Sequence, residues 1–153
     1  MDVVEFLKKN NTKYELLEHK SVFSSQRMAA VEHVSGKTVA KPVIVNADGT
    51  YYMCVLPGCY KIDLEALRKQ IGAEKADLAD EKEMARLFED CSLGAEPPFG
   101  NLYDMTTLMD KTLETDEYIV FQAGTHEKAC RIRMDDYLSL VQPKILDFCY
   151  RGF

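Results

Sequence analysis

Two β-rich runs, Thr38 to Val45 and Thr50 to Leu56, flank the tetrapeptide Asn46-Ala47-Asp48-Gly49. An Asp-Gly pair between such runs is a strong hairpin signal, because both residues tolerate the positive φ that a tight turn needs. The hairpin therefore seeds an antiparallel pair early in the chain, and Pro57-Gly58 ends its second strand. No regular alternation of strand and helix follows, which argues against a parallel dinucleotide-binding sheet. Neither GxGxxG nor GxxxxGK[ST] is present.

The other elements follow from periodicity and punctuation. Val3 to Lys9 reads as an amphipathic helix stopped by Asn10-Asn11, and Tyr14 to His19 as a short strand. Ser24 or Ser25 can cap a helix running to about Val34. Asp63 caps another whose Leu64, Leu67 and Ile71 share a face, closed by Gly72. Ala76 to Leu78 is a short strand, and Asp80 caps a helix to about Phe88. Strands are expected over Leu102 to Met109, Tyr118 to Ala123 and Ala129 to Met134, then a helix capped by Asp135 and running through Val141. The order implies an α+β domain with a mixed or mainly antiparallel sheet.

The chain of 153 residues is long enough for one domain over residues 1–153 with its own core. No apolar run approaches a membrane span, and Met1 to Asn10 lacks the pattern of a signal peptide. The expectation is a cytoplasmic protein. With no sustained heptad or surplus apolar face, it is expected to be a monomer. Five cysteines without CxxC spacing read as reduced, mostly buried small hydrophobes, and neither metal nor organic cofactor is implied. Net charge is −6, against a strong non-specific nucleic-acid binder. Local groups of lysine and arginine still permit transient contact with phosphates.

Two segments carry most of the chemistry. Lys41 heads the apolar run Lys41-Pro42-Val43-Ile44-Val45, where its ammonium offers three donors to a carbonyl or phosphate. The loop Gly94-Ala95-Glu96-Pro97-Pro98-Phe99-Gly100 has two glycines that allow close ligand approach and two prolines that fix the backbone. His126 follows Gly124-Thr125 at the end of the clearest strand, a common edge for a site. His19 sits where it can line the same rim. No serine or cysteine has the setting of an activated nucleophile, so a hydrolase built from these residues positions water and substrate.

These segments resemble the YbaK/ProX family of free-standing aminoacyl-tRNA deacylases, relatives of the editing insertion of bacterial prolyl-tRNA synthetase. Glu18-His19-Lys20-Ser21-Val22-Phe23-Ser24 resembles its strand-to-helix entry. Val39-Ala40-Lys41-Pro42-Val43-Ile44-Val45 resembles its lysine-bearing strand, Gly94 to Gly100 its GxxxP loop, and Ala123-Gly124-Thr125-His126 its glycine–histidine segment. The order is preserved from Val3 to Asp147. Pro97 departs from the family's usual small residue, and Cys149-Tyr150-Arg151-Gly152-Phe153 forms an extra tail.

The resemblance implies a mainly antiparallel sheet curled towards a barrel and flanked by helices. It also implies hydrolysis of the ester between a wrong amino acid and the terminal adenosine of tRNA. Lys41 and Gly94 become the catalytic residues; His126, Pro98, Ala95, Glu96, Gly124, Thr125 and His19 become substrate-binding. A histidine at position 126 points to alanyl-tRNA(Pro) first and cysteinyl-tRNA(Pro) next. The implied partners are the mischarged acceptor end and prolyl-tRNA synthetase. The competing reading is a non-catalytic module that binds tRNA or aminoacyl-adenosine beside a synthetase.

Overall fold

The computed structural model describes residues 2–18 and 39–151. The helix expected from Ser24 or Ser25 to Val34, and His19, lie outside the described residues. Helix α1 (Val3–Lys9) is capped by the Asp2 side chain, which accepts from the Glu5 amide, and carries Lys8 and Lys9 in its last turn. Strand β1 (Glu15–Glu18) follows. The hairpin forms as its turn chemistry demands: β2 (Ala40–Ala47) and β3 (Thr50–Pro57) pair antiparallel with Ala47 opposite Thr50. Asp48 and Gly49 both take positive φ.

Beyond β4 (Tyr60–Ile62) come α2 (Leu64–Ile71) and β5 (Ala76–Leu78). Helix α3 (Glu81–Leu87) opens on a full capping box between Asp80 and Glu83. Then follow β6 (Thr106–Asp110), β7 (Tyr118–Gln122), β8 (Lys128–Arg133), α4 (Met134–Val141), β9 (Lys144–Leu146) and β10 (Cys149–Arg151).

The strands form three sheets. A five-stranded sheet has the order β5-β2-β3-β6-β9, β1-β8-β7 form a second, and β10 and β4 a ribbon. Pairing is antiparallel except at β3–β6 and β6–β9. The sheet expected to curl into a barrel is not closed among the described residues. Its two larger parts meet at one parallel bridge, Val39 with Val120. Alternate residues of the five-stranded sheet feed two cores. Ile44, Met53, Val55 and Met109 join α1, Phe99, Phe121 and Tyr137 on one face. Val45, Cys54, Leu56 and Leu108 pack with Leu67 and Phe148 on the other.

Three expectations need correction. Leu102 to Met109 is not one strand. Gly100–Tyr103 is a 3₁₀ turn closed by the Met105 amide on the Gly100 carbonyl, and the strand begins at Thr106. Asp135 does not cap α4; Arg133 holds that position without a side-chain bond, and Asp135 and Asp136 sit in the first turn, where the helix end favours acids. Cys149–Arg151, for which no element was expected, pairs as a strand with Ile62, Lys61 and Tyr60. All five cysteines are free, but only Cys54 and Cys130 are fully buried.

Candidate active site around the Gly94–Gly100 loop

The loop is held from its ends inwards. Phe99 is buried against Phe6, Phe121 and Tyr137, with ring centroids 6.0, 5.2 and 5.3 Å away. The buried Tyr137 hydroxyl donates to the Pro98 carbonyl at 2.5 Å, and the Gly100 amide donates to Thr107 Oγ1 at 3.0 Å. At the other end the loop runs beside the segment after β7. The Ser92 amide donates to the Gly124 carbonyl at 2.8 Å, and the Gly124 amide to the Ala95 carbonyl at 2.9 Å. Gly94 and Gly124 both have positive φ, +86° and +93°, a backbone that side chains other than glycine rarely accept. These two glycines therefore do conformational work that their spacing in the sequence only hinted at.

His126 closes the arrangement. Its Nε2 lies 2.7 Å from the Leu93 carbonyl and its Nδ1 3.0 Å from Gln122 Oε1. A carbonyl only accepts, so Nε2 carries a proton in either charge state of the ring. In the neutral ring the lone pair is then on Nδ1, which is turned to Gln122, and the imidazole packs beside Gly94. A Cβ added there would stand 3.4 Å from the ring. His126 positions the loop and shapes what sits against it. Thr125 Oγ1 is buried without a hydrogen-bond partner among the described residues, beside a cavity of about 440 Å³ that Gly124 and Pro97 also line.

Glu96 is 4% exposed. Its Oε1 accepts the Gly94 amide at 3.2 Å, while Oε2 has no hydrogen-bond partner among the described residues. Burial pushes its carboxyl above the usual range, opposed by the amides of Glu96, Gly94 and Ala95 and by His126.

Lys41 is half-buried on the face that its cross-strand partner Leu56 shares with the second core. Burial holds its ammonium below the ordinary lysine value; the Cys59 and Cys149 thiols oppose that shift and Lys61 adds to it. None of these groups belongs to the Gly94 loop, so the described contacts do not join Lys41 to it. Val39 forms one isolated parallel bridge with Val120, two residues before Lys41 on one strand and two before Gln122, which holds His126, on the other.

Two supporting residues escaped sequence reading. Tyr137 carries no local signal beyond its place in the last helix, yet it anchors the loop. Gln122 was legible as the one polar residue ending Tyr118-Ile119-Val120-Phe121-Gln122, and it is buried. Cys91 lies 3.1 Å from the Tyr103 hydroxyl, and burial pushes its thiol up to about 12, which removes it as a nucleophile at neutral pH. Among the described residues no three His, Cys, Asp or Glu side chains gather to hold a metal, and no helix is long and apolar enough to cross a membrane.

The described residues thus build a rigid glycine–proline loop braced by a histidine. The aminoacyl-tRNA editing domain family matches residues 19–140, and the chain belongs to that family. The multifunctional Ser/Thr-tRNA deacylase ProXp-y of Escherichia coli is 24% identical over 151 residues, 95% of this chain and 90% of that protein. A hypothetical protein, APE2540, superposes with a TM-score of 0.88 at 20% identity, covering 97% of this chain and 99% of its own. A candidate trans-editing enzyme for prolyl tRNA synthetase gives 0.81 at 17% identity over 96% and 92%. At these identities the two structures speak for the fold.

Proposed function

We propose that this chain acts in trans on mischarged tRNA, releasing alanine from tRNA(Pro) and, next to it, cysteine. The observation that carries the reading is the loop, fixed by Phe99, Tyr137 and Gly124 and braced by His126. An aminoacyl ester is already activated, so orientation and charge stabilisation do most of the work. A water oxygen adds to the ester carbonyl, and the carbon–oxygen bond to the ribose breaks. The ribose oxygen leaves with a proton, giving free amino acid and tRNA. Gly94 and Ala95 present main chain to the water and the amino acid, with Pro98 fixing that main chain. Gly124, Thr125 and His126 border the side-chain pocket. Lys41 holds the terminal phosphate or the developing oxyanion, and His19 contributes to substrate binding.

The partners in this reading are the acceptor end of tRNA and prolyl-tRNA synthetase, whose errors the protein corrects in the cytoplasm as a monomer. The similarity to a Ser/Thr-tRNA deacylase favours a second substrate reading, seryl- and threonyl-tRNA. The test is loss of the ester from alanyl-, cysteinyl- and prolyl-tRNA(Pro), seryl-tRNA and threonyl-tRNA, with Lys41→Ala alongside. Selective release of alanine, abolished in the variant, supports the proposal. Release of serine or threonine alone moves the assignment to the second reading. Tight binding without turnover of any substrate means a non-catalytic module.

A further inference from the structure

We propose that Gln122 is a positioning residue that sets specificity: it fixes the pose of the His126 ring, and through the ring it decides which amino-acid side chains the site admits. This rests on the deacylase reading above, in which His126 borders the side-chain pocket. Gln122 ends β7 and is 5% exposed, whereas His126, in the turn that follows, is half-buried beside the loop. Gln122 Oε1 stands 3.0 Å from Nδ1, and the Leu93 carbonyl 2.7 Å from Nε2. One ring is thus held at both nitrogens, by two segments far apart in the chain.

Those segments do not need the ring to stay together. Main chain already joins them, through the Ser92 amide on the Gly124 carbonyl and the Gly124 amide on the Ala95 carbonyl. The turn itself is closed by the Ala123 amide on the Lys128 carbonyl. What the two side-chain contacts add is the orientation of the ring. An imidazole tied at one nitrogen still swings about that bond; tied at both, its two side-chain torsions are set. Between the tied nitrogens Cε1 faces Gly94, where an added Cβ would stand 3.4 Å away. The nitrogen-bearing edge is turned to protein, so the ring acts on a substrate by where it stands and how much room it takes.

The residue type supports the assignment. Ile119, Val120 and Phe121 make β7 a buried apolar strand, and Gln122 is the polar exception at its end. With Nε2 donating to the Leu93 carbonyl in both charge states, Nδ1 accepts in the neutral ring and donates in the protonated one. An amide answers both, with its NH2 for the first and its oxygen for the second, by turning over in place. A carboxylate serves only the protonated ring. Glutamine therefore keeps the ring in one place whichever state it is in. That matters because a pocket separates side chains by a methylene only about 10–200-fold, and only against a wall that does not move.

The test reads binding, so it does not depend on turnover. The probes are adenosine carrying alanine or leucine through a non-hydrolysable 3′-amide, titrated by NMR into the intact wild type, Gln122→Met and Gln122→Glu. Methionine keeps the reach of glutamine and removes the amide. The wild type is expected to bind the alanyl probe at least about tenfold more tightly than the leucyl probe. In Gln122→Met the ratio falls to within about threefold, chiefly because leucyl binding is gained. The Nε2–H signal of His126, slow to exchange in the wild type because Leu93 holds it, broadens in that variant. Gln122→Glu keeps an oxygen at the same reach. At about pH 6, where a histidine beside a carboxylate is protonated, it is expected to restore the ratio to about tenfold.

Equal binding of the two probes by the wild type, binding of neither, or a ratio unchanged in Gln122→Met overturns the proposal, even where the variant melts lower. A fallen ratio with an unchanged His126 signal overturns the route through the ring. A folded Gln122→Glu that leaves the ratio low also overturns it; should that variant not fold, Gln122→Met decides alone. Release of amino acid from the five aminoacyl-tRNAs is followed in parallel. Absence of turnover by the wild type on all of them is the separate failure of the deacylase reading.

Discussion

Tyr137→Phe isolates the anchor of the loop. The hydroxyl donates to the Pro98 carbonyl at 2.5 Å, both residues are buried, and the ring also packs at 5.3 Å against Phe99. Phenylalanine keeps the ring and its apolar contacts and removes only the donor. It leaves a buried carbonyl without a partner, which costs about 1–3 kcal/mol. A domain of this size loses about 2–4 °C of Tm per kcal/mol, so the melting point should drop by roughly 2–12 °C. The assay is a thermal melt followed by circular dichroism, with a urea titration to confirm that the slope is unchanged. Deacylation well below the melting point should also fall, in kcat more than KM, because the loop is less well aimed. A Tm within about 1 °C of wild type would refute the anchoring argument. A lowered Tm with unaltered turnover would show that the anchor serves the fold alone.

Gly100→Ala should be severe, since the new Cβ would lie 2.3 Å from Thr107 Oγ1 and 2.8 Å from the Met105 carbonyl. Overpacking of that kind costs about 1–3 kcal/mol or more, seen as a lowered urea midpoint. Gly94→Ala forces a side chain onto φ +86° beside the His126 ring, on the exposed side of the loop. Its kcat/KM on the preferred substrate should drop about tenfold to a hundredfold. Its Tm should move far less than that of Gly100→Ala. Asp110 accepts from the amides of Phe148, Cys149 and Thr112 and from the Thr112 hydroxyl. Burial pushes its carboxyl up, but these bonds outweigh it and the net direction is down. Its stabilisation is therefore complete above the unfolded aspartate value of about 4 and is lost as pH falls through the lower folded value. Asp110→Asn should be less stable at pH 7 by about 1.5–3 kcal/mol and show a flatter acid limb in melts below about pH 4.

Most of the fold was legible because its signals are local. The Asp48-Gly49 turn, the Asp63 and Asp80 caps and the Tyr118–Gln122 run each act within a few residues, and each formed where expected. The short strands β4, β9 and β10 carry no such signal. They exist because a partner is brought to them from far along the chain, as Asp110 does when it ties Phe148 and Cys149 beside β6. The candidate site divides along the same line. The loop was recognisable from its glycines and prolines, and His126 from the turn before it. What converts those residues into a site is non-local. Tyr137 reaches Pro98 across 39 positions, and Leu93 reaches His126 across 33. Lys41 shows the limit most clearly. Its position at the head of a strand was readable, but its face is set by pairing with Leu56, and its neighbours Cys59, Lys61 and Cys149 come from two other segments, around β4 and in β10. A local motif can thus name the groups that do the chemistry. Which of them meet is decided by strand pairing, and among the described residues only the Val39–Val120 bridge brings the strand that leads to Lys41 against the one that ends at Gln122.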